Sequence, residues 1–91
     1  MQLKIQLFAG FREAFHGKEL VIDLKDGHKV RDLLGVLCDS YHSRDIFFEN
    51  DKLKKYIVIL INGRHIQHLD GLDTDLSEGD TVALFPPAGG G

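Results

Sequence analysis

Long apolar runs are missing from this sequence, and so are basic blocks, disulfide partners, repeats and low-complexity tracts. The longest apolar stretch, Ile57 to Ile61, falls far short of the ~20 residues that a bilayer crossing needs, so no membrane span or membrane partner is expected. The opening Met1-Gln2-Leu3-Lys4 already alternates and has no signal-peptide layout. The single cysteine, Cys38, cannot close an intramolecular disulfide and suits a reducing compartment, so a cytoplasmic location is expected. Acidic side chains outnumber basic ones, 14 to 11, and the formal net charge is −3. The densest positive cluster, Lys52, Lys54 and Lys55, sits beside Glu49 and Asp51. Without a positive footprint, nucleic acid is not an expected partner.

What remains is an ordinary soluble composition, 43% hydrophobic and 27% charged over 91 residues. That length makes one domain, able to bury roughly 60–68% of its unfolded surface. Residues 3–9 alternate, with Leu3, Ile5 and Leu7 on one face and Lys4, Gln6 and Phe8 on the other, which predicts a half-buried strand. Residues 9–18 read as a connection, and residues 19–25 as a second alternating strand closing an N-terminal hairpin. After the Asp26-Gly27 turn signal, Val30, Leu33, Leu34, Leu37, Cys38 and Tyr41 recur at helical spacing and predict an amphipathic helix over about 29–42. His28 and Lys29 are poor cap residues, though Asp32 suits the helix dipole. Gly35 inside this helix costs about 1 kcal/mol relative to alanine, which points to close packing there.

Residues 43–55 are polar around Ile46-Phe47-Phe48 and read as a loop with a short helical turn. Tyr56 to Ile61 form a continuous run typical of a central strand with both faces covered. Asn62-Gly63 ends it with a hairpin signal, and residues 64–68 would be a brief return strand. Residues 81–85 are the last strand, stopped by Pro86-Pro87. One helix on one face of a mixed sheet of four or five strands is an α+β layer solution, with the element order of the ubiquitin-like β-grasp. The expected core is Leu3, Ile5, Leu7, Leu20, Ile22, Val30, Leu34, Leu37, Ile59, Val82 and Leu84.

The chain then runs out through Ala88 into Gly89-Gly90-Gly91. Glycines cannot fill a core, and ordering them loses the most backbone entropy. Residues 1–87 are therefore expected to form the domain and 88–91 a flexible tail. Two readings stand for that tail: an idle chain end, or an unhindered terminus that a partner threads into its active site.

Four segments together resemble the small sulfur carriers of the MoaD/ThiS type, and most closely the small subunits of molybdopterin synthase. They are Leu7-Phe8-Ala9-Gly10-Phe11-Arg12-Glu13, the helix start Val30-Arg31-Asp32-Leu33-Leu34, Ile61-Asn62-Gly63, and the stretch from Leu76 to Pro87 with its glycines. The last is the specific part. The family's Phe-Pro-Pro, two variable residues and Gly-Gly map here onto Phe85-Pro86-Pro87, Ala88-Gly89 and Gly90-Gly91. The resemblance implies that Gly91 carries the chemistry: a ubiquitin-activating-type adenylyltransferase spends ATP on its carboxylate, and sulfur then replaces the adenylate to give a thiocarboxylate. The small subunit is implied to bind no cofactor itself. It donates that sulfur to the pterin of the molybdenum or tungsten cofactor through the synthase large subunit. Archaeal ubiquitin-like small modifiers resemble the sequence equally well, and they imply an isopeptide bond from Gly91 to lysines of target proteins. A binding-only ubiquitin-like module with an inert tail is the third reading.

Partner-binding residues are expected at Phe8, Leu60, Phe85, Pro86, Pro87, Gly89 and Gly90. Phe8 and Phe85 point away from the predicted core, and an exposed apolar patch of that kind marks a partner surface unless residues 43–55 fold over it. His65 and His68 are spaced like metal ligands. Zinc needs three or four, no third is near in sequence, and strand positions 65 and 68 point to opposite faces, so no metal is expected. Cys38 lies on the buried helix stripe and reads as a small core hydrophobe.

Overall fold

A computed structural model describes residues 1–41 and 44–87. The chain order is β1 (Gln2–Leu7), α1 (Gly10–Ala14), β2 (Glu19–Asp23), α2 (Val30–Tyr41), α3 (Arg44–Phe47), β3 (Phe48–Glu49), β4 (Lys52–Leu53), β5 (Val58–Ile61), β6 (Arg64–His65) and β7 (Thr81–Phe85), with tight 3₁₀ turns at Ile66–His68 and Gly71–Asp73. Five strands form one mixed sheet in the order β2-β1-β7-β5-β6, and β3-β4 make a separate hairpin. β1 and β7 are parallel, while the β1–β2, β5–β7 and β5–β6 pairs are antiparallel. This is the ubiquitin-like β-grasp: a mixed five-stranded sheet with one main helix, of the α+β class.

The alternation in β1 and β7 sends Leu3, Ile5, Leu7, Val82 and Leu84 to one face. There they meet Ile59 and Ile61 of β5 and the α2 stripe Val30, Leu33, Leu34, Leu37 and Cys38, all buried. Leu20 and Ile22, expected in this core, are only half-buried. They lie on β2, at the sheet edge, where fewer side chains cover them. Phe11, Phe15 and Phe47 complete the core as an aromatic wedge, with Phe47 5.3 Å from Phe11 and 5.8 Å from Phe15, and Tyr41 packs edge-on to Phe15 at 4.9 Å.

Several expectations need correction. The stretch 9–18 is not a bare connection: α1 forms there because Phe11 and Phe15 anchor it in the core. The sheet centre is β7, not β5, which has only the two-residue β6 outside it. Nor is β5 covered on both faces, since Val58 and Leu60 are half-exposed and the preceding Tyr56 is 80% exposed. The return strand is only Arg64–His65, because Ile66 turns into the core as the chain enters a 3₁₀ turn.

The start of α2 is tied down by Asp32 rather than by a side chain of His28 or Lys29. The Asp32 carboxylate reaches back from the first turn and accepts from the backbone N–H groups of His28 and Lys29, just before the helix, both at 3.0 Å, as the acid of a capping box does. Gly35 is exposed, and nothing lies close enough to meet a Cβ there, so close packing does not explain it. Among the described residues no helix is long and apolar enough to cross a membrane.

Candidate functional site

The constant register between β1 and β7 decides what lies beside the end of the last strand. Lys4 pairs with Thr81, Gln6 with Ala83 and Leu7 with Leu84. One step further, the Phe8 N–H donates to the Leu84 carbonyl at 3.2 Å, which sets Phe8 alongside Phe85. The two rings stack, with centroids 4.2 Å apart and planes 9° from parallel. The Arg12 guanidinium lies over Phe8, 5.3 Å from its centroid, and Arg12 Nε donates to the Leu7 carbonyl at 2.8 Å. Phe8 therefore makes both a cation contact with Arg12 and a stacking contact with Phe85.

Across the sheet, Phe85 pairs with Val58 and Ala83 with Leu60. Helix α2 lies on the opposite side, so this end of the sheet is uncovered. Ala9, Tyr56, Val58, Leu60, Phe85, Pro86 and Pro87 line an open apolar groove of about 540 Å³. Residues 44–55 do not line it. That segment instead puts Phe47 into the core and folds back as the β3–β4 hairpin. An uncovered apolar groove of this kind is the usual mark of a partner surface.

Four of the residues expected to bind partners, Leu60, Phe85, Pro86 and Pro87, thus meet in one groove, and Phe8 supports it from behind through Phe85. Gly89, Gly90 and Gly91 lie outside the described residues. Sequence reasoning missed Ala9, Tyr56 and Val58. The alternation Tyr56, Val58, Leu60 carried a signal for the last two, hidden because the intervening Ile57, Ile59 and Ile61 are apolar as well. Ala9 gave none: it enters the groove rim through a backbone turn at φ 49° that joins β1 to α1.

The groove is held at its far end by the Asn62-Gly63 turn. Both residues take positive φ, 50° and 87°, as a two-residue hairpin turn demands. Asn62 also ties this turn to the start of β7. Its side-chain oxygen accepts from the Thr81 N–H at 2.9 Å, and its amide donates to Asp80 at 2.9 Å. The strand that leads to Pro86 is thus fixed at its start as well as along both edges.

His65 and His68 do not point apart as strand spacing implied. The 3₁₀ turn brings their rings to 6.2 Å, and His65 Nδ1 accepts from the Gln67 N–H at 3.0 Å. No group of three or more metal-ligating side chains occurs among the described residues. Cys38 is 7% exposed, and burial pushes its thiol above the ordinary range, which disfavours the thiolate.

A family model described as the ThiS family matches residues 5–91. The chain is 37% identical over 92 residues to small archaeal modifier protein 3 of Haloferax volcanii, with all of both chains covered. It is 31% identical over 91 residues to the molybdopterin synthase sulfur carrier subunit of Chlamydomonas reinhardtii, again over the whole of both. Among solved structures, the solution structure of small archaeal modifier protein 1 from Methanosarcina acetivorans superimposes with a TM-score of 0.83 at 40% identity, covering 99% of this chain and 96% of that one.

Proposed function

Since the chain belongs to the ThiS family, which it matches from residue 5 to 91, we propose that it is a sulfur carrier, the small subunit of a molybdopterin synthase, working through the Gly91 carboxylate. One observation carries this reading most directly. The central strand β7 leaves the sheet through Phe85-Pro86-Pro87 beside an uncovered apolar groove, and the sequence then runs into glycines. The prolines fix φ and hold the exit direction, while glycine permits close backbone approach. A partner seated on the groove is thereby placed next to the tail.

The chemistry belongs to the partners. An adenylyltransferase brings ATP to Gly91, a carboxylate oxygen attacks the α-phosphorus, and pyrophosphate leaves. Hydrosulfide-level sulfur then attacks the acyl carbon, AMP leaves, and the product is the thiocarboxylate. The synthase large subunit takes that sulfur to the pterin of the molybdenum or tungsten cofactor. The protein itself binds no cofactor in this scheme, and its place is the cytoplasm, where ATP is at hand.

A second reading is favoured by the 37% and 40% identities to proteins named as small archaeal modifiers. In it a lysine amine of a target protein displaces AMP, and an isopeptide bond forms through Gly91. Both readings share the adenylation step and part after it. The test is intact-mass analysis of the protein incubated with its adenylyltransferase, ATP and a sulfur donor, beside a lysate probed for higher-mass conjugates. A sulfur-for-oxygen mass increase supports the carrier. Conjugate ladders without that increase support the modifier. An unchanged mass with no ladder contradicts both.

A further inference from the structure

The β3–β4 hairpin carries the feature that the groove does not use. Its turn residues Asn50 and Asp51 both take positive φ, 53° and 63°, which closes a tight two-residue turn. The hairpin is firmly based. Phe48 follows the fully buried Phe47, the Lys54 N–H donates to the Phe47 carbonyl at 2.8 Å, and Leu53 packs against the core. From that base Lys52, Lys54 and Lys55 line a second open groove of about 610 Å³, together with Glu49, Asn50, Leu53 and Pro87.

Two properties separate these lysines from a merely solvated face. None of them is held in an ion pair among the described residues, and three lysines face a single acid in this groove. Asp51, the nearby acid that would offset them, is held by Arg44 at 2.7 Å, which leaves Glu49, opposite Lys52 in the hairpin register, as the acid of this groove. The result is a local positive surface on a chain of net charge −3. Their position is also tied to the exit of the chain. Pro87 lines both the lysine groove and the apolar groove, so a protein that closes on the tail from the apolar side is brought against the lysines.

From this geometry we infer that the hairpin is a second docking element, a basic clamp that receives an acidic segment of the protein gripping the tail. The inference rests on the reading that a partner closes on the tail. The apolar groove supplies desolvated contact area, and the lysines steer the encounter and fix which side of the tail the partner approaches. Steering of this kind changes association rates by about 10–10³-fold and weakens as salt rises.

The test uses two probes. A glutamate-rich synthetic peptide is titrated into the isotope-labelled protein and followed by amide chemical shifts. Shifts confined to residues 49–55, abolished by added salt and by the combined Lys52→Gln, Lys54→Gln, Lys55→Gln change, are expected. Shifts spread equally over Lys4, Lys18, Lys25 and Lys29, or unaltered in the variant, overturn the inference. In parallel, ATP–pyrophosphate exchange with the cognate adenylyltransferase is measured against ionic strength. The variant should raise KM about tenfold at low salt with kcat unchanged, and the difference should close as salt rises. Equal KM values and equal salt slopes contradict the clamp. Wild-type protein that supports no exchange contradicts the adenylation reading alone, and the peptide titration then decides the clamp.

Discussion

Phe8, the residue that follows β1, and Phe85, the last of the parallel strand β7, stack at 4.2 Å, so the side chain before the prolines is held from the neighbouring strand. The contact joins the end of β1 to the end of β7, directly before Pro86. Phe85→Ala removes one wall of the apolar groove, while Phe8→Ala removes the ring behind that wall.

Both changes should weaken partner binding by about 2 kcal/mol or more, as truncated aromatic hot spots do. Both residues are half-buried, so each should destabilise the fold less than Leu34→Ala, which empties a fully buried core position and should cost about 2–5 kcal/mol. Calorimetric titration against the adenylyltransferase and the synthase large subunit, paired with chemical denaturation, checks this. Unaltered affinity for both proteins in both variants would remove the groove from the account.

The turn before α2 makes a second test. Gly27 sits at φ 90°, and a Cβ there would overlap the Asp32 carboxylate that caps the helix. Gly27→Ala should therefore destabilise by about 1–3 kcal/mol through left-handed strain alone, with further loss as the cap is displaced. Denaturation of Gly27→Ala beside Asp32→Ala measures the two contributions. A neutral Gly27→Ala would show that the turn relaxes freely.

Gly35 should behave in the opposite way. It lies inside α2 with open space around its missing Cβ, and no positive φ is required of it. Gly35→Ala should raise stability by about 0.5–1 kcal/mol by restricting the unfolded chain and favouring the helix. A loss of stability, read as a lower denaturation midpoint, would contradict that placement.

An exposed ion pair gives a pH signature. Arg31 Nε lies 2.8 Å from Asp73, and its hydrogen bond and charge hold the Asp73 carboxyl below the usual carboxylate range. A carboxyl depressed in the folded state adds stability above its unfolded pKa, and that contribution is lost as pH falls through the folded value. Carboxyl titration by NMR should show Asp73 returning toward the ordinary range in Arg31→Gln. An identical Asp73 titration in both proteins would mean that the pair does not form in solution.

How much of this was legible in the sequence follows from which forces set each element. Strand β7 was bounded correctly at Thr81 and Phe85, since alternation starts it and Pro86 ends it, both local signals. Helix α2 was legible from its stripe within a residue of its observed start, while its expected end near residue 42 lies outside the described residues. By contrast α1, only five residues long, is too short to display a period, and burial of Phe11 and Phe15 holds it in place. The half-exposure of Val58 and Leu60 was hidden for another reason. A strand apolar on both faces looks covered on both, and only the absence of a second layer exposes one. The apposition of His65 and His68 needed the 3₁₀ turn, which strand spacing cannot anticipate. Alternation put Phe8 and Phe85 on the open face but left the central-strand residue open, and Pro86 and Pro87 were singled out by the tail pattern rather than by any period.

The most direct measurement is ATP–pyrophosphate exchange with the cognate adenylyltransferase, run on the wild-type chain and on a variant lacking Gly91. The deletion moves the carboxylate back by one residue, about 3.3–3.6 Å along an extended chain. Misplacement of reacting groups by much less can cost ~10²-fold in rate. The account predicts rapid exchange by wild type and loss of at least that factor in the variant, with circular dichroism and denaturation midpoint unchanged. Exchange by the variant at the wild-type rate would contradict Gly91 as the reactive end.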